Sequence, residues 1–107
     1  MTTPELPPPN FVKINPGQCK ILMFDDMWYE KRKIRDPKSG KIKTVTAMVL
    51  HVIREDGLEV DKTFSVVSYK AMQTLAALAR KGWLYARNIK ICVYGEDFAR
   101  EYQIELV

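Results

Sequence analysis

The chain has 107 residues, of which 47% are hydrophobic and 28% are charged, and its formal net charge is +4. This length and balance are typical of a single soluble globular domain with one modest core. No apolar run reaches the roughly 18 residues that a membrane-spanning helix needs, and the N-terminus lacks the pattern of a signal peptide. We therefore expect a cytoplasmic protein with no membrane partner.

The N-terminal segment, residues 1–17, holds five of the six prolines of the chain. Proline lacks the amide hydrogen that helices and strand ladders use, so this segment is predicted to be a flexible tail. Its PELPPP run also fits a polyproline docking ligand. Phe11, Val12 and Ile14 are expected to attach the end of the tail to the domain, which spans residues 18–107.

Three strands of an antiparallel meander are predicted next. The first begins at CKILMF and ends at a hairpin loop, DPKSGK (36–41), whose proline and glycine favour a turn. The second, KTVTAMVLHVI, is rich in β-branched residues and apolar on both faces in its lower half, as in a central strand. Asp56-Gly57 is a strong hairpin signal, and the alternating LEVDKTFSVVS follows it as the third strand.

A helix over 69–81 is predicted after the meander, because Ser68 can cap its start and Gly82 suits its end. Two further strands, NIKICVY and AREYQIELV, are joined by a turn at GEDF, residues 95–98. Cys19 and Cys92 have no metal-ligand partners at the usual spacing, and free core thiols are favoured over a disulfide. Seven other side chains are assigned to the core: Met72, Leu75, Ala76, Ala79, Trp83, Tyr85 and Tyr102.

The element order β-β-β-α-β-β defines a mainly β (β+α) fold. Rolling the five antiparallel strands into a partly open barrel, with the helix at its base, would protect the sheet edges. This arrangement predicts a five-stranded OB-fold-like barrel. In such barrels the face of strands two and three, with the loops that join strands one to two and four to five, binds single-stranded nucleic acid. Here those loops are 36–41 and 95–98.

Positive charge is concentrated in EKRKIRDPKSGKIKT, residues 30–44, which carries seven basic and two acidic side chains and therefore +5, while the rest of the chain is −1. A clustered charge creates a local potential that attracts a polyanion. Cations along the phosphates and rings against the bases are what a single strand requires. The candidate nucleic-acid-binding residues are Trp28, Tyr29, Lys31, Arg32, Lys33, Arg35, Lys38, Lys41, Lys43 and Phe98.

The period of two along a strand divides this stretch between two sides. Tyr29 shares one side with Lys31, Lys33 and Arg35, so that this side is nearly all cationic with an aromatic ring at its base. The opposite side carries a different set: Trp28, Glu30, Arg32 and Ile34. Because Trp28 and Tyr29 are neighbours, only one of the two rings is expected to belong to the core.

With these features, residues 18–107 resemble the short OB-fold single-stranded DNA-binding proteins of phages and prokaryotes. The resemblance rests on the basic hairpin around DPKSGK, on EDGLEVDKTFSVVS leading into a helix, and on GEDFAREYQIEL. It implies binding of single-stranded DNA, or of RNA, with little sequence preference, a role in DNA replication or repair, and compatibility with a homo-oligomer. Bacterial members usually end in an acidic tail that recruits partners, whereas this sequence ends at QIELV, so such recruitment is not expected.

No enzyme is predicted. His51 is the sole histidine and has no nucleophile beside it, so we interpret it as structural. Asp25 and Asp26 diverge on a strand, which favours solvation or local bonding over a metal site. No metal and no cofactor are expected. The alternative function is a protein-interaction adaptor, whose basic hairpin meets an acidic partner while the proline-rich tail docks elsewhere.

Overall fold

The structure, a computed structural model, describes residues 10–36, 38–95 and 100–107. Its elements in chain order are β1 (Cys19–Arg35), β2 (Ile42–Glu55), β3 (Leu58–Val66), α1 (Tyr69–Arg80), β4 (Asn88–Tyr94) and β5 (Glu101–Leu106). The fold is mainly β and has the predicted element order. None of the helical segments in the described ranges is long and apolar enough to cross a membrane.

The five strands form one antiparallel sheet in the order β3-β2-β1-β4-β5. β1 is shared by two partners, since it pairs with β2 over most of its length and with β4 near its start. The sheet is not closed, because β3 and β5 are its two edges and no pairing joins them within the described residues. Phe64 of β3 and Tyr102 of β5 nevertheless meet edge to face, with ring centroids 6.4 Å apart. The sheet therefore curls until its edges face each other across an open seam.

The core lies inside this curl and draws side chains from four strands, the helix and the N-terminal segment. β2 contributes most, because its residues 47–50 are buried in succession, as predicted for a central strand. A register shift in β1 around Phe24 is typical of a bulge, which increases the bend of a strand. The largest fully buried side chains are Phe24, Leu22, Met48, Leu50, Leu75, Leu84, Ile89, Ile91, Val49, Val52, Val66 and Val93.

The local signals for the turn and the helix are confirmed. Asp56 and Gly57 both have positive φ, 50° and 84°, as a tight two-residue hairpin requires. The hydroxyl of Ser68 accepts a hydrogen bond from the amide of Ala71, and Gly82 follows the helix with a φ of 75°. The predicted apolar stripe of α1 packs on the core through Met72, Leu75, Ala76 and Ala79.

Two of the aromatic residues assigned to the core lie at the surface, so that part of the prediction is wrong. Trp83 is 42% exposed and Tyr85 is 38% exposed. Leu84 between them is fully buried, which directs its two neighbours outward. The ammonium group of Lys81 lies over the Trp83 ring, 5.1 Å from its centroid. Tyr102, in contrast, packs against the core as predicted.

The prediction of two free thiols is also wrong, because Cys19 and Cys92 form a disulfide. The pairing of β1 with β4 places the two residues directly opposite each other, with their Cα atoms 4.0 Å apart. They are separated by 73 residues in sequence, so their proximity depends on the strand order and not on any local spacing. The bond ties β1 to β4 where their pairing begins.

The described end of the N-terminal segment is attached to β3. The amide of Val12 donates to the carbonyl of Thr63, and the amide of Thr63 donates to the carbonyl of Asn10, each at 2.7 Å. Val12 and Ile14 are buried, which confirms them as attachment points, whereas Phe11 is 55% exposed. Residues 1–9 of the predicted tail lie outside the described residues.

Candidate nucleic-acid interface

Beyond the barrel-like body, β1 and β2 continue as a two-stranded arm, which we define as residues 30–46. The two strands stay in register to the pair Arg35 and Ile42. The loop closes as predicted, since the amide of Asp36 donates to the carbonyl of Lys41 at 2.8 Å. Within the described part of the arm, residues 30–36 and 38–46, no side chain is buried. The arm is therefore a solvated ribbon whose position is fixed by the body.

The seven basic residues of the arm are all exposed: Lys31, Arg32, Lys33, Arg35, Lys38, Lys41 and Lys43. Some of these side chains are oriented by neighbours in the arm. The ammonium group of Lys31 donates to the hydroxyl of Thr46 at 3.3 Å, and the guanidinium of Arg35 donates to the carbonyl of Gly40 at 3.0 Å. Exposed cations held along one ribbon keep the local potential positive over its length.

The predicted division of the arm into two sides is visible in its hydrogen bonds. The indole of Trp28 donates to Glu30 at 2.9 Å, and the guanidinium of Arg32 donates to the same carboxylate at 3.2 Å. These two hydrogen bonds lower the pKa of Glu30, and the bond from Trp28 has the larger effect. Glu30 thus stays ionised and offsets part of the charge on this side. The side of Tyr29 and Lys31 has no such carboxylate among the described arm residues.

The three predicted stacking rings differ in their surroundings. Tyr29 is 54% exposed at the base of the arm, whereas Trp28 is half-buried and its indole nitrogen is already bonded. Tyr29 is thus the ring of this pair that is open to a base. Phe98 lies outside the described residues.

A cavity of about 390 Å³ opens at the seam between β3 and β5, and we call it the seam cavity. Its lining includes Arg32 of the arm, residues of β3 and Tyr102 near the start of β5. The arm and both edges of the sheet therefore border this cavity. Two further cations line it, Lys13 and Arg100, together with the rings of Phe11 and Tyr102. No acidic side chain is among the described residues of its lining. Its volume falls within the range of small-ligand sites.

Arg100 brings an unsatisfied hydrogen-bond donor to the seam cavity. Its Nε is buried and has no hydrogen-bond partner among the described residues. A buried donor without an acceptor costs free energy, so an anionic or carbonyl oxygen at this point would be favourable. Neither Lys13 nor Arg100 belongs to the set predicted from sequence, because they come from opposite ends of the chain and only the curl of the sheet brings them together.

A second charged cluster lies away from the arm, around His51. Its Nδ1 is 2.6 Å from a carboxylate oxygen of Asp25, and its Nε2 is 2.6 Å from one of Asp61. The bonds to Asp61 and then to Asp25 raise the pKa of His51. The imidazole thus links β1, β2 and β3, in agreement with a structural role. Among the described residues no group of three or more metal-ligating side chains is arranged to hold a metal ion.

Comparison of the chain with known protein families, with curated proteins and with solved structures finds no match. The resemblance to OB-fold single-stranded DNA-binding proteins therefore stays a prediction.

Proposed function

We propose that this protein binds single-stranded nucleic acid, DNA in the first place, with little preference for base sequence. The phosphates lie along the basic arm, and bases stack on exposed rings at its base. A role in DNA replication or repair follows from such an activity. No catalytic step is part of the proposal.

The arm is the observation that carries this proposal. It holds seven exposed cations on a ribbon whose described residues include no buried side chain, so packing in a core does not account for their presence. The spacing of about 3.3 Å per residue along a strand places successive same-side cations within reach of neighbouring phosphates. An exposed ring at the base, Tyr29, adds a surface on which any base can stack.

The seam cavity supports the same proposal, because its chemistry matches that of a nucleotide. Its cations, Lys13, Arg32 and Arg100, suit a phosphate, and the rings of Phe11 and Tyr102 suit a base. Arg32 belongs to both the arm and the cavity. A strand that follows the arm would therefore reach the cavity without leaving positively charged surface.

Salt-dependent titration tests the proposal. A fluorescently labelled dT oligomer and a matched duplex are titrated with the protein over a range of salt concentrations. If about four phosphates are neutralised, log K for the single strand should fall with log salt at a slope near −3, from about −0.7 per phosphate. Tighter binding to the duplex, or binding that salt does not affect, contradicts the proposal.

A triple variant assigns the slope to the arm. Changing Lys31, Lys33 and Arg35 together to Ala should flatten the slope by about 2 units, because three phosphate contacts are lost. The matched control removes three exposed cations elsewhere, Lys70→Ala with Lys81→Ala and Arg87→Ala, and should keep the slope near its wild-type value.

The adaptor function is the outcome if the arm does not serve nucleic acid. In that case the triple variant binds dT as well as the wild type at every salt concentration. Polyglutamate, a peptide polyanion without bases, separates the two functions further. An adaptor should bind it at least as tightly as dT of equal charge, whereas a single-strand binder should prefer dT because only dT can stack.

The cytoplasm is the compartment that we propose, because single-stranded nucleic acid occurs there. In that compartment the disulfide between Cys19 and Cys92 would have to persist although most cytosolic thiols are kept reduced, so its state in the cell is a direct check of the location. Cell fractionation tests the location, and alkylation of thiols at the moment of lysis tests whether the bond is present there.

A further inference from the structure

A second cavity, of about 420 Å³, lies on the other side of the base of the arm, between the arm and α1. We call it the helix groove. The arm side contributes Tyr29 and Thr46, and the helix contributes Tyr69, Met72 and Arg80 to its lining. The groove is therefore separate from the seam cavity, since the two have no lining residue in common among the described residues.

Two exposed tyrosine rings line the groove. Tyr69 in the first turn of α1 is 72% exposed, and Tyr29 is 54% exposed. Met72 and Ala76 line the groove between the two elements and also pack against the core, so this floor is firm and apolar. Two rings beside a fixed apolar floor suit the insertion of a flat aromatic group.

The charge around the groove favours an anionic ligand. Arg80 is exposed in the last turn of the helix. The ammonium group of Lys31 bonds to the hydroxyl of Thr46, which itself lines the groove, so this cation lies at its margin. No carboxylate is among the described lining residues. A ligand with a planar ring and a phosphate, which is a nucleotide, satisfies both the rings and the cations.

We propose that the helix groove is a second nucleotide-binding subsite, which takes a base between Tyr29 and Tyr69 and its phosphate on Arg80. The inference rests on the proposed function, because the nucleotide belongs to the strand that the arm and the seam cavity hold. The strand passes around the base of the arm from one side to the other. A short oligomer fills the arm and the seam cavity and can stack on Tyr29, and only a longer one also reaches Tyr69 and Arg80 on the helix side of the groove.

Oligomers of two lengths test this inference. dT oligomers of about 5 and about 15 nucleotides lie near the lower and upper ends of the usual range for one OB-type domain. Tyr69→Ala should weaken binding of the longer oligomer about tenfold, which corresponds to the loss of one base-aromatic stack, and leave the shorter one unchanged. Tyr69→Phe keeps the ring and should bind both lengths as the wild type does. Arg80→Ala should flatten the salt slope of the longer oligomer alone by about 0.7.

Lys70→Ala is the matched control, since it removes an exposed cation of the same helix that does not line the groove. It should change binding of neither length. Thermal melting of each variant shows whether the protein is folded, and the exposure of Tyr69 predicts melting close to that of the wild type.

The outcomes separate this inference from the proposed function. If the wild type binds both oligomers and neither Tyr69→Ala nor Arg80→Ala changes the binding, the groove is no nucleotide subsite and the proposed function stands. If the two variants weaken both lengths equally, the groove belongs to the primary site, and the idea of a second subsite is wrong. If the wild type binds neither oligomer, the proposed function fails and this inference fails with it.

Discussion

The arm and the body are made from the same two strands and differ in what surrounds them. In β2, Ala47 and the three residues after it are buried, whereas the residues before it, from Ile42 to Thr46, are not. The composition of the body is explained by burial, since apolar area removed from water stabilises the fold. Burial does not explain the composition of the arm, because its described residues include no buried side chain. An isolated two-stranded ribbon is also at best marginally stable. The body therefore positions the arm, and core packing does not account for the arm's composition.

The largest expected effect belongs to the body. Replacing Cys19 and Cys92 together by Ala should lower the free energy of unfolding by about 4 kcal/mol, because the bond closes a loop of 73 residues and restricts the unfolded chain. Urea denaturation measures the change. The wild type in reducing agent should match the double variant, while both should still bind dT below their melting temperatures because the arm is untouched. Equal unfolding free energies with and without reductant would show that the bond contributes nothing to stability.

Most of the fold was predictable because its signals are local. Asp56-Gly57, Ser68 and Gly82 each specify a turn or helix end within a few residues, and the alternation in β3 specifies its buried face. The disulfide was not predictable in this way, because it depends on β1 lying beside β4. Trp83 and Tyr85 were wrongly assigned to the core for a related reason. The segment after the helix has neither the period of about 3.6 residues of a helix nor the period of two of a strand, so the sequence does not show that Leu84 points inward.

In the candidate site, too, the features that depend on local sequence could be predicted and those that join distant segments could not. The two sides of the arm could be predicted from the period of two, and the bonds of Trp28 and Arg32 to Glu30 agree with it. The two cavities could not be predicted, because each joins segments that are distant in sequence. Arg100 and Arg32 line one cavity only because the sheet curls, and Tyr69 and Tyr29 line another only because the helix lies near the base of the arm.

Tyr29 and Trp28, the two neighbouring rings at the boundary of arm and body, are expected to differ in what their removal changes. Tyr29→Ala should reduce the affinity for a dT oligomer of about 15 nucleotides by about 1–3 kcal/mol, the usual contribution of a base-aromatic stack. Its melting temperature and salt slope should stay close to those of the wild type, because the ring is exposed and uncharged. Fluorescence titration and thermal melting measure these quantities.

Trp28→Ala provides the contrast, since this ring is half-buried and bonded to Glu30. It should lower the melting temperature more than Tyr29→Ala does. Tyr29→Phe, which keeps the ring, should retain the affinity of the wild type. A loss of melting temperature in Tyr29→Ala as large as that in Trp28→Ala would place Tyr29 with the body and remove it from the interface.

The smallest expected effect concerns His51, whose bonds to Asp25 and Asp61 connect three strands of the body outside the arm. Neutral imidazole has one N–H and can donate to only one carboxylate, whereas the protonated ring can donate to both, so the two short contacts favour the protonated form. The folded state therefore raises the pKa of His51 above its usual value of 6.5. A group whose pKa is raised by folding stabilises the protein fully below its unfolded pKa, and this stabilisation is lost as the pH rises through the folded pKa.

We expect the melting temperature of the wild type, relative to that of His51→Gln, to decrease as the pH rises from about 6 through the folded pKa. Glu55 does not interfere, because Lys20 and then Lys62 lower its pKa and its contribution is lost only in acid. Since His51 is the only histidine, its imidazole proton resonances give the pKa directly by NMR titration. Asp61→Asn, which removes the partner with the larger effect, should bring that pKa back toward 6.5. A wild-type pKa at or below 6.5 would mean that the two carboxylates do not hold the imidazolium. Binding of dT by the arm should show no matching pH dependence, because His51 lies in neither cavity.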